Sequence, residues 1–150
     1  MKVLVDTSIW SLALRRKGGP ASLNDAEKHL VALLVEAIRD GRVLVAGPIR
    51  QEVLSGIATP EQFAEVKVRL DPFPDQPIAS EDYIEAARLY NLCRRRGVEC
   101  GAVDMLLCAL AYRNEWTILS RDGGMERSIA AIEAETGKRI ADVPASRSSR

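Results

Sequence analysis

The chain has 150 residues, a length that suits one domain built around a single hydrophobic core. Lysine and arginine together number 21, as do aspartate and glutamate, so net charge gives no sign of a nucleic-acid binder or a membrane-surface protein. The N-terminus meets Asp6 too early for a signal-peptide core, and no apolar run approaches the ~18 residues of a membrane span. We therefore expect a soluble, cytoplasmic protein.

Short β-branched and leucine runs alternate with segments of helical periodicity along the whole chain. Strands are predicted over residues 2–5, 42–46 and 116–120, with further short strands possible within 71–77 and 139–143. Helices are predicted over residues 8–14, 24–40, 47–57, 60–69, 80–96, 101–112 and 125–136. The alternation predicts an α/β fold, with a central parallel sheet of about four or five strands and helices on both faces. This single domain is expected to cover residues 1–143, and the polar segment 144–150 is expected to be a disordered tail.

Cysteine and histidine give little support to nucleophilic or zinc chemistry. The three cysteines lack CxxC spacing, so free thiols are expected, with Cys93 and Cys108 in the core. The only histidine, His29, lies among charged residues in a predicted helix and is expected at the surface. A Ser-His-Asp or Cys-His mechanism is therefore not favoured.

Four acidic residues stand where a predicted strand ends or a predicted helix begins: Asp6, Glu52, Asp104 and Asp122. In an open α/β fold, the carboxyl ends of the parallel strands form the ligand-binding edge, so these acids can meet there. Like charges brought together raise one another's pKa unless a cation offsets the repulsion, which favours a divalent metal site.

Each acid also has a structural interpretation. Asp6 can cap a helix, Glu52 can be an exposed acid near a helix N-terminus, and Asp122 can form a turn with Gly123. Asp104 is the hardest to explain in this way, because uninterrupted apolar residues follow it from Met105 to Tyr112. A carboxylate at the edge of such a core is costly without a partner.

Four segments in order resemble the successive motifs of the PIN domain, most closely in the VapC-type toxins of toxin–antitoxin pairs: VDTSIW, IRQEVLSG, GAVDMLLCALA and TILSRDGG. The resemblance extends from Met1 to about Val143. It implies a parallel sheet between helices and a metal-dependent endoribonuclease with Mg²⁺ or Mn²⁺ as cofactor. It also implies an RNA substrate, an inhibitory VapB-type antitoxin and a homodimer.

By the same resemblance, the metal-binding and catalytic acids are Asp6, Glu52, Asp104 and Asp122. Ser120 matches the small hydroxyl residue before the last acid, and Thr7 or Ser8 matches the polar support of the first. VapC-type sequences commonly carry a further aspartate followed by phenylalanine where this chain has Gly124 and Met125. The departure bears on whether a second metal ion binds.

Basic residues near these motifs are candidate contacts to an RNA backbone: Arg121, Arg15, Arg16, Arg94, Arg95 and Arg96. Simple solvation, or the favourable C-terminus of a helix for residues 94–96, explains them equally well. Two other functions remain open. One is a catalytically inactive PIN-like interaction module, which Gly124 favours. The other is an aspartate-dependent phosphatase, which would need a general acid where Ser8 stands.

Overall fold

The computed structural model describes residues 1–15 and 18–142. The predicted RNA contact of Arg16, the predicted domain end at Val143 and the predicted tail at 144–150 lie outside this part. Its strands are β1 (Val3–Val5), β2 (Val43–Leu44) and β3 (Thr117–Leu119). Its helices are α1 (Thr7–Leu14), α2 (Asp25–Arg39), α3 (Gly47–Leu54), α4 (Pro60–Leu70), α5 (Ser80–Arg95), α6 (Ala102–Asn114) and α7 (Gly123–Thr136), with a short 3-10 turn at Pro20–Ser22.

The sheet is parallel, with the order β2-β1-β3. Val3 pairs with Val43 on one side and with Thr117 on the other, so β1 is the central strand. All three residues of β1 are buried. Because neighbouring residues of a strand point to opposite faces, both faces of the sheet are covered, and the predicted α/β fold is confirmed.

The strand number is lower than predicted, since three strands form within the described residues rather than four or five. The two additional predicted strands are reduced to single parallel bridges, Val45 with Asp75 and Ile118 with Ala141. Three prolines in residues 71–77 lack the N–H that a regular ladder requires, which explains the first bridge. The second lies at the end of the described chain.

The helices form two groups around the sheet. Helix α1 packs against α2 and α3, and α3 against α4, while α5 packs against α6 and α7. Residues Met105 to Ala111 of α6 are all buried, as their uninterrupted apolar run predicts. Helix α6 is thus the central helix of its group, and its first turn carries Asp104. Within the described chain, no helix is long and apolar enough to cross a membrane.

Helix ends follow local sequence signals closely. Asn24 and Glu27 form a capping box at the start of α2, and the Thr59 side chain accepts the Gln62 N–H at the start of α4. The cysteines are free, with Cys93 and Cys108 buried as predicted.

Candidate active site

Asp6 follows β1, and two serine hydroxyls fix one of its carboxylate oxygens. Ser8 Oγ and Ser120 Oγ donate to Asp6 Oδ2 over 3.0 and 2.8 Å. Each hydroxyl also accepts a backbone N–H from the loop after β3. Ser8 Oγ accepts the Arg121 N–H over 3.1 Å, and Ser120 Oγ accepts the Asp122 N–H over 3.1 Å. Asp6 is only 6% exposed, yet its Oδ1 has no donor among the described residues and is not sealed from solvent. That oxygen is free to bind a ligand.

Neither Thr7 nor Ser8 caps α1. The N-cap residue is Asp6, whose side chain makes no capping hydrogen bond. Ser8 supports Asp6, whereas Thr7 Oγ1 donates to Glu52 Oε2 over 3.2 Å. Helix α3 carries Glu52 in its second turn, where the side chain is exposed at the rim of the site. Thr7 therefore links two of the predicted acids.

Asp122 has a structural role in addition to its place among the acids. It is the N-cap of α7, where its Oδ2 accepts the Met125 N–H over 2.9 Å. The residue is exposed, and its other carboxylate oxygen has no donor within the described chain. A cap and a ligand role are compatible, because a carboxylate offers two oxygens.

Asp104 lies in the first turn of α6 and is only partly buried. No described residue donates a hydrogen bond to its carboxylate or forms an ion pair with it. Burial raises its pKa from 3.8 to about 6, with smaller contributions from the negative charges of Asp6, Asp122 and Glu52. The other three predicted acids are therefore close enough to Asp104 for their charges to repel its own.

The raised pKa of Asp104 predicts an unusual pH dependence of stability for the metal-free protein. The folded state binds the Asp104 proton more tightly than the unfolded state, so the contribution is favourable below pH 6 and is lost as the pH rises from about 4 to about 6. Solvent screening of a partly buried group limits the expected loss to about 1 kcal/mol. Urea unfolding at several pH values would measure it. In Asp104→Asn this loss should vanish, and an identical pH profile in both proteins would contradict the assignment.

The chemistry of these side chains fits a hard divalent cation, although the acids do not form a closed ligand shell. All the donors are carboxylate and hydroxyl oxygens, the ligands that Mg²⁺ and Mn²⁺ prefer. In the described chain, no three acidic, histidine or cysteine side chains form a group that could hold an ion as they stand. Mg²⁺ commonly uses one or two carboxylates and keeps several waters. The arrangement therefore fits an ion held directly by two acids and through water by the others.

Arg121, a predicted RNA contact, already has a protein partner. Its Nη1 donates to Glu27 Oε2 over 2.7 Å, and Glu27 is only 7% exposed. The other Glu27 oxygen accepts the Asn24 N–H in the capping box of α2. Glu27 thus ties the start of α2 to the loop that carries Ser120 and Asp122. The sequence indicates the capping box but gives no signal for the contact to Arg121, which is 94 residues away.

The other predicted RNA contacts are dispersed. Arg15 ends α1, and one of its terminal nitrogens lies 3.5 Å from where a Cβ on Gly56 would stand. Arg96 pairs with Glu135 of α7 over 2.7 Å, which gives it a structural role. Arg94 and Arg95 are exposed at the end of α5. Their contacts with RNA stay predictions.

A parallel α/β sheet with acids gathered beyond the carboxyl ends of its strands defines a class of proteins that bind their ligands at that edge. Residues 3–128 match the PIN domain family, and the chain belongs to it. PIN domains are generally metal-dependent nucleases. The family predicted from the four motifs is thus confirmed.

Among solved structures, the chain is similar to one in the crystal structure of FitAcB from Neisseria gonorrhoeae. The TM-score is 0.62 and the identity 17%, over 84% of this chain and 92% of that chain. At this identity the likeness shows the fold alone. No curated protein matches the chain.

Proposed function

We propose that this PIN domain is a Mg²⁺- or Mn²⁺-dependent endoribonuclease and the toxin of a VapBC-type toxin–antitoxin pair. Asp104 carries the proposal: a partly buried carboxylate, without a described donor or cation, whose pKa is raised to about 6 by burial and by three other acids. A structural capping residue has no need of such surroundings. A cation bound among the four acids would remove the repulsion.

Asp6 and Asp104 are the central ligands in this proposal, and Glu52 and Asp122 complete the site directly or through water. Ser8 and Ser120 fix Oδ2 of Asp6, which leaves Oδ1 to the ion. Thr7 holds Glu52 by one oxygen only. These four acids would hold the ion, which would lower the pKa of a water ligand enough to supply a nucleophile at neutral pH.

Gly124 bears on the number of ions. A Cβ added there would lie 3.1 Å from Asp122 Oδ2, so an acid at this position would stand directly beside Asp122. Without it, four acids serve the site instead of five. The described residues therefore support one ion better than two.

The proposal includes the partners of VapC-type toxins: an RNA substrate, a VapB-type antitoxin that blocks the site, and a second copy of the chain in a homodimer, all in the cytoplasm. A short gene for a DNA-binding antitoxin directly beside the toxin gene would support the pairing.

A nuclease assay tests the function directly. Structured RNAs are incubated with the protein in Mg²⁺, in Mn²⁺ and with a chelator, and Asp6→Asn is compared with wild type. We expect cleavage only with metal, and a loss of at least about 100-fold in Asp6→Asn, because a direct ligand is removed. Asp40→Asn, an exposed aspartate paired with Arg42 at 3.5 Å, is the matched control. Folded wild-type protein without metal-dependent cleavage would favour the inactive interaction module.

A further inference from the structure

The three consecutive arginines at the end of α5 face three different directions, because successive residues of a helix are rotated by about 100°. Arg96 forms its ion pair with Glu135 of α7. Arg95 lines a cleft beside Tyr112, towards the end of α6. Arg94 packs over the ring of Tyr90, with its guanidinium carbon 5.9 Å from the ring centre. Of the three arginines, Arg94 is the one that, together with Tyr90, faces residues 97–100, the segment that leads to Asp104.

Tyr90 and Arg94 form one wall of a cleft of about 560 Å³. The cleft is lined by Tyr90, Arg94, Gly97, Val98, Glu99 and Cys100. Its volume lies within the range of natural sites for small ligands, which a nucleotide fits. A Cβ added to Gly97 would meet no atom within 4 Å, so the cleft is open on that side.

The cleft adjoins the acids. Burial raises the pKa of Cys100, and a hydrogen bond with the Cys93 thiol lowers it. Two charges have smaller effects: Asp104 raises the pKa of Cys100, and Arg94 lowers it. Asp104 and Arg94 are therefore both near the Cys100 thiol. The next residue after Cys100 is Gly101, whose added Cβ would stand 3.9 Å from Asp104 Oδ2.

The Arg94 guanidinium has no carboxylate partner among the described residues, although Glu99 lines the same cleft. Tyr90 keeps 36% of its surface exposed. An exposed ring with an unpaired arginine beside it offers a surface for a base and its phosphate, since bases stack on aromatic rings and guanidinium planes.

We propose that Tyr90 and Arg94 form a base-stacking platform that binds an unpaired nucleotide of the RNA next to the scissile phosphate. This inference rests on the proposed nuclease function and adds to it the two residues that hold a nucleotide beside the cleaved bond. Tyr90 stacks on the base, and Arg94 completes the surface and donates to the phosphate.

A neighbouring surface has different chemistry. Between α5 and the start of α6 lies a mostly apolar groove of about 390 Å³, whose walls include Tyr83, Ala87, Tyr90 and Val103. Such a groove suits an apolar protein segment better than a nucleic acid. Because Tyr90 borders both surfaces, the test has to separate RNA binding from protein binding.

The test measures the affinity for single-stranded and double-stranded oligoribonucleotides by fluorescence anisotropy, with Mg²⁺ and in an Asp104→Asn background that leaves the RNA intact. Tyr90→Leu is expected to bind the single strand about tenfold more weakly, and Tyr90→Phe like the parent, because the ring alone is required. Arg94→Gln should reduce the slope of log affinity against log salt by about 0.7. Tyr112→Leu, whose ring also carries a cation, and Arg88→Gln, an arginine of the same helix paired with Glu85, are the matched controls and should change neither quantity.

Circular dichroism would verify that each variant is folded. If Tyr90→Leu is not, Arg94→Gln keeps the test valid, because an unchanged salt slope in that variant would overturn the platform. Unchanged single-strand affinity in folded Tyr90→Leu, with wild-type cleavage intact, would overturn the platform and leave the nuclease standing. Tyr90-dependent RNA binding without cleavage would support the platform and remove the nuclease. If Tyr90→Leu instead abolishes a homodimer in sedimentation while RNA binding is unchanged, the surface is a protein contact and the platform is wrong.

Discussion

Asp104→Asn is expected to stabilise the metal-free protein and to inactivate it at the same time. The substitution keeps the shape of the side chain but removes the charge that burial and three neighbouring acids oppose. Above pH 7 the gain should be about 1 kcal/mol after allowance for solvent screening, or about 2–4 °C in melting temperature for a chain of this size. RNA cleavage should fall by at least about 100-fold, because a central metal ligand is lost.

Thermal unfolding with and without Mn²⁺ checks this prediction independently of activity. Wild type should be stabilised by the ion through mass action, whereas Asp104→Asn should show little or no shift. Asp40→Asn, exposed and far from the acids in sequence, should behave like wild type in both conditions. A less stable Asp104→Asn that still responds to metal would mean that this carboxylate is structural.

Glu27→Ala is expected to cost about 2 kcal/mol of unfolding free energy, the largest loss we predict for a single polar side chain in the site's support. It removes a capping-box acceptor and leaves the Arg121 guanidinium without its buried partner. The full penalty for breaking a buried ion pair is reduced, because the Arg121 side chain is 39% exposed. Metal affinity should fall too, since Arg121 neighbours both Ser120 and Asp122.

Urea unfolding of a short variant series separates the two roles of Glu27. Glu27→Gln can keep the capping bond while losing the charge, and Glu36→Ala makes the same truncation as Glu27→Ala at an exposed position of α2. The Glu36 variant should change stability by less than about 0.5 kcal/mol. Combining Glu27→Ala with Arg121→Ala should recover part of the loss, and strict additivity would show that the pair is not coupled.

Local physics made most of the fold predictable. The capping box of Asn24 and Glu27, the proline at the start of α3 and the buried apolar run of α6 depend on residues close together in sequence. The predicted number of strands was wrong, because the sequence of an extended segment does not show how many of its residues form hydrogen bonds with a neighbouring strand. Residues 71–77 contact the sheet through one bridge at Asp75, since prolines interrupt the donors on both sides.

The gathering of the four acids was predictable from the sequence, whereas the contacts that support them were not. Strand ends in a parallel fold meet at one edge, and the charges of Asp6, Glu52 and Asp122 all reach Asp104. The assignment of the hydroxyls was only partly predictable, since Thr7 serves Glu52 rather than Asp6. The contact of Arg121 with Glu27 depends on tertiary packing, and the spacing of residues along the sequence does not predict such a contact.

The position of Asp104 on α6 divides the site into a rigid half and a movable half. Residues Met105 to Ala111 are buried on every side, so α6 belongs to the part of the fold that opens last, and Asp104 is attached to it. Asp6 follows the buried central strand and is fixed similarly. Asp122 is exposed, but its cap bond to Met125 keeps it with the rigid half. Glu52 is exposed and can reorient without disturbing the core. An arriving ion would therefore find anchored oxygen donors and draw Glu52 towards itself, so that assembly of the complete site follows ligand binding and does not precede it.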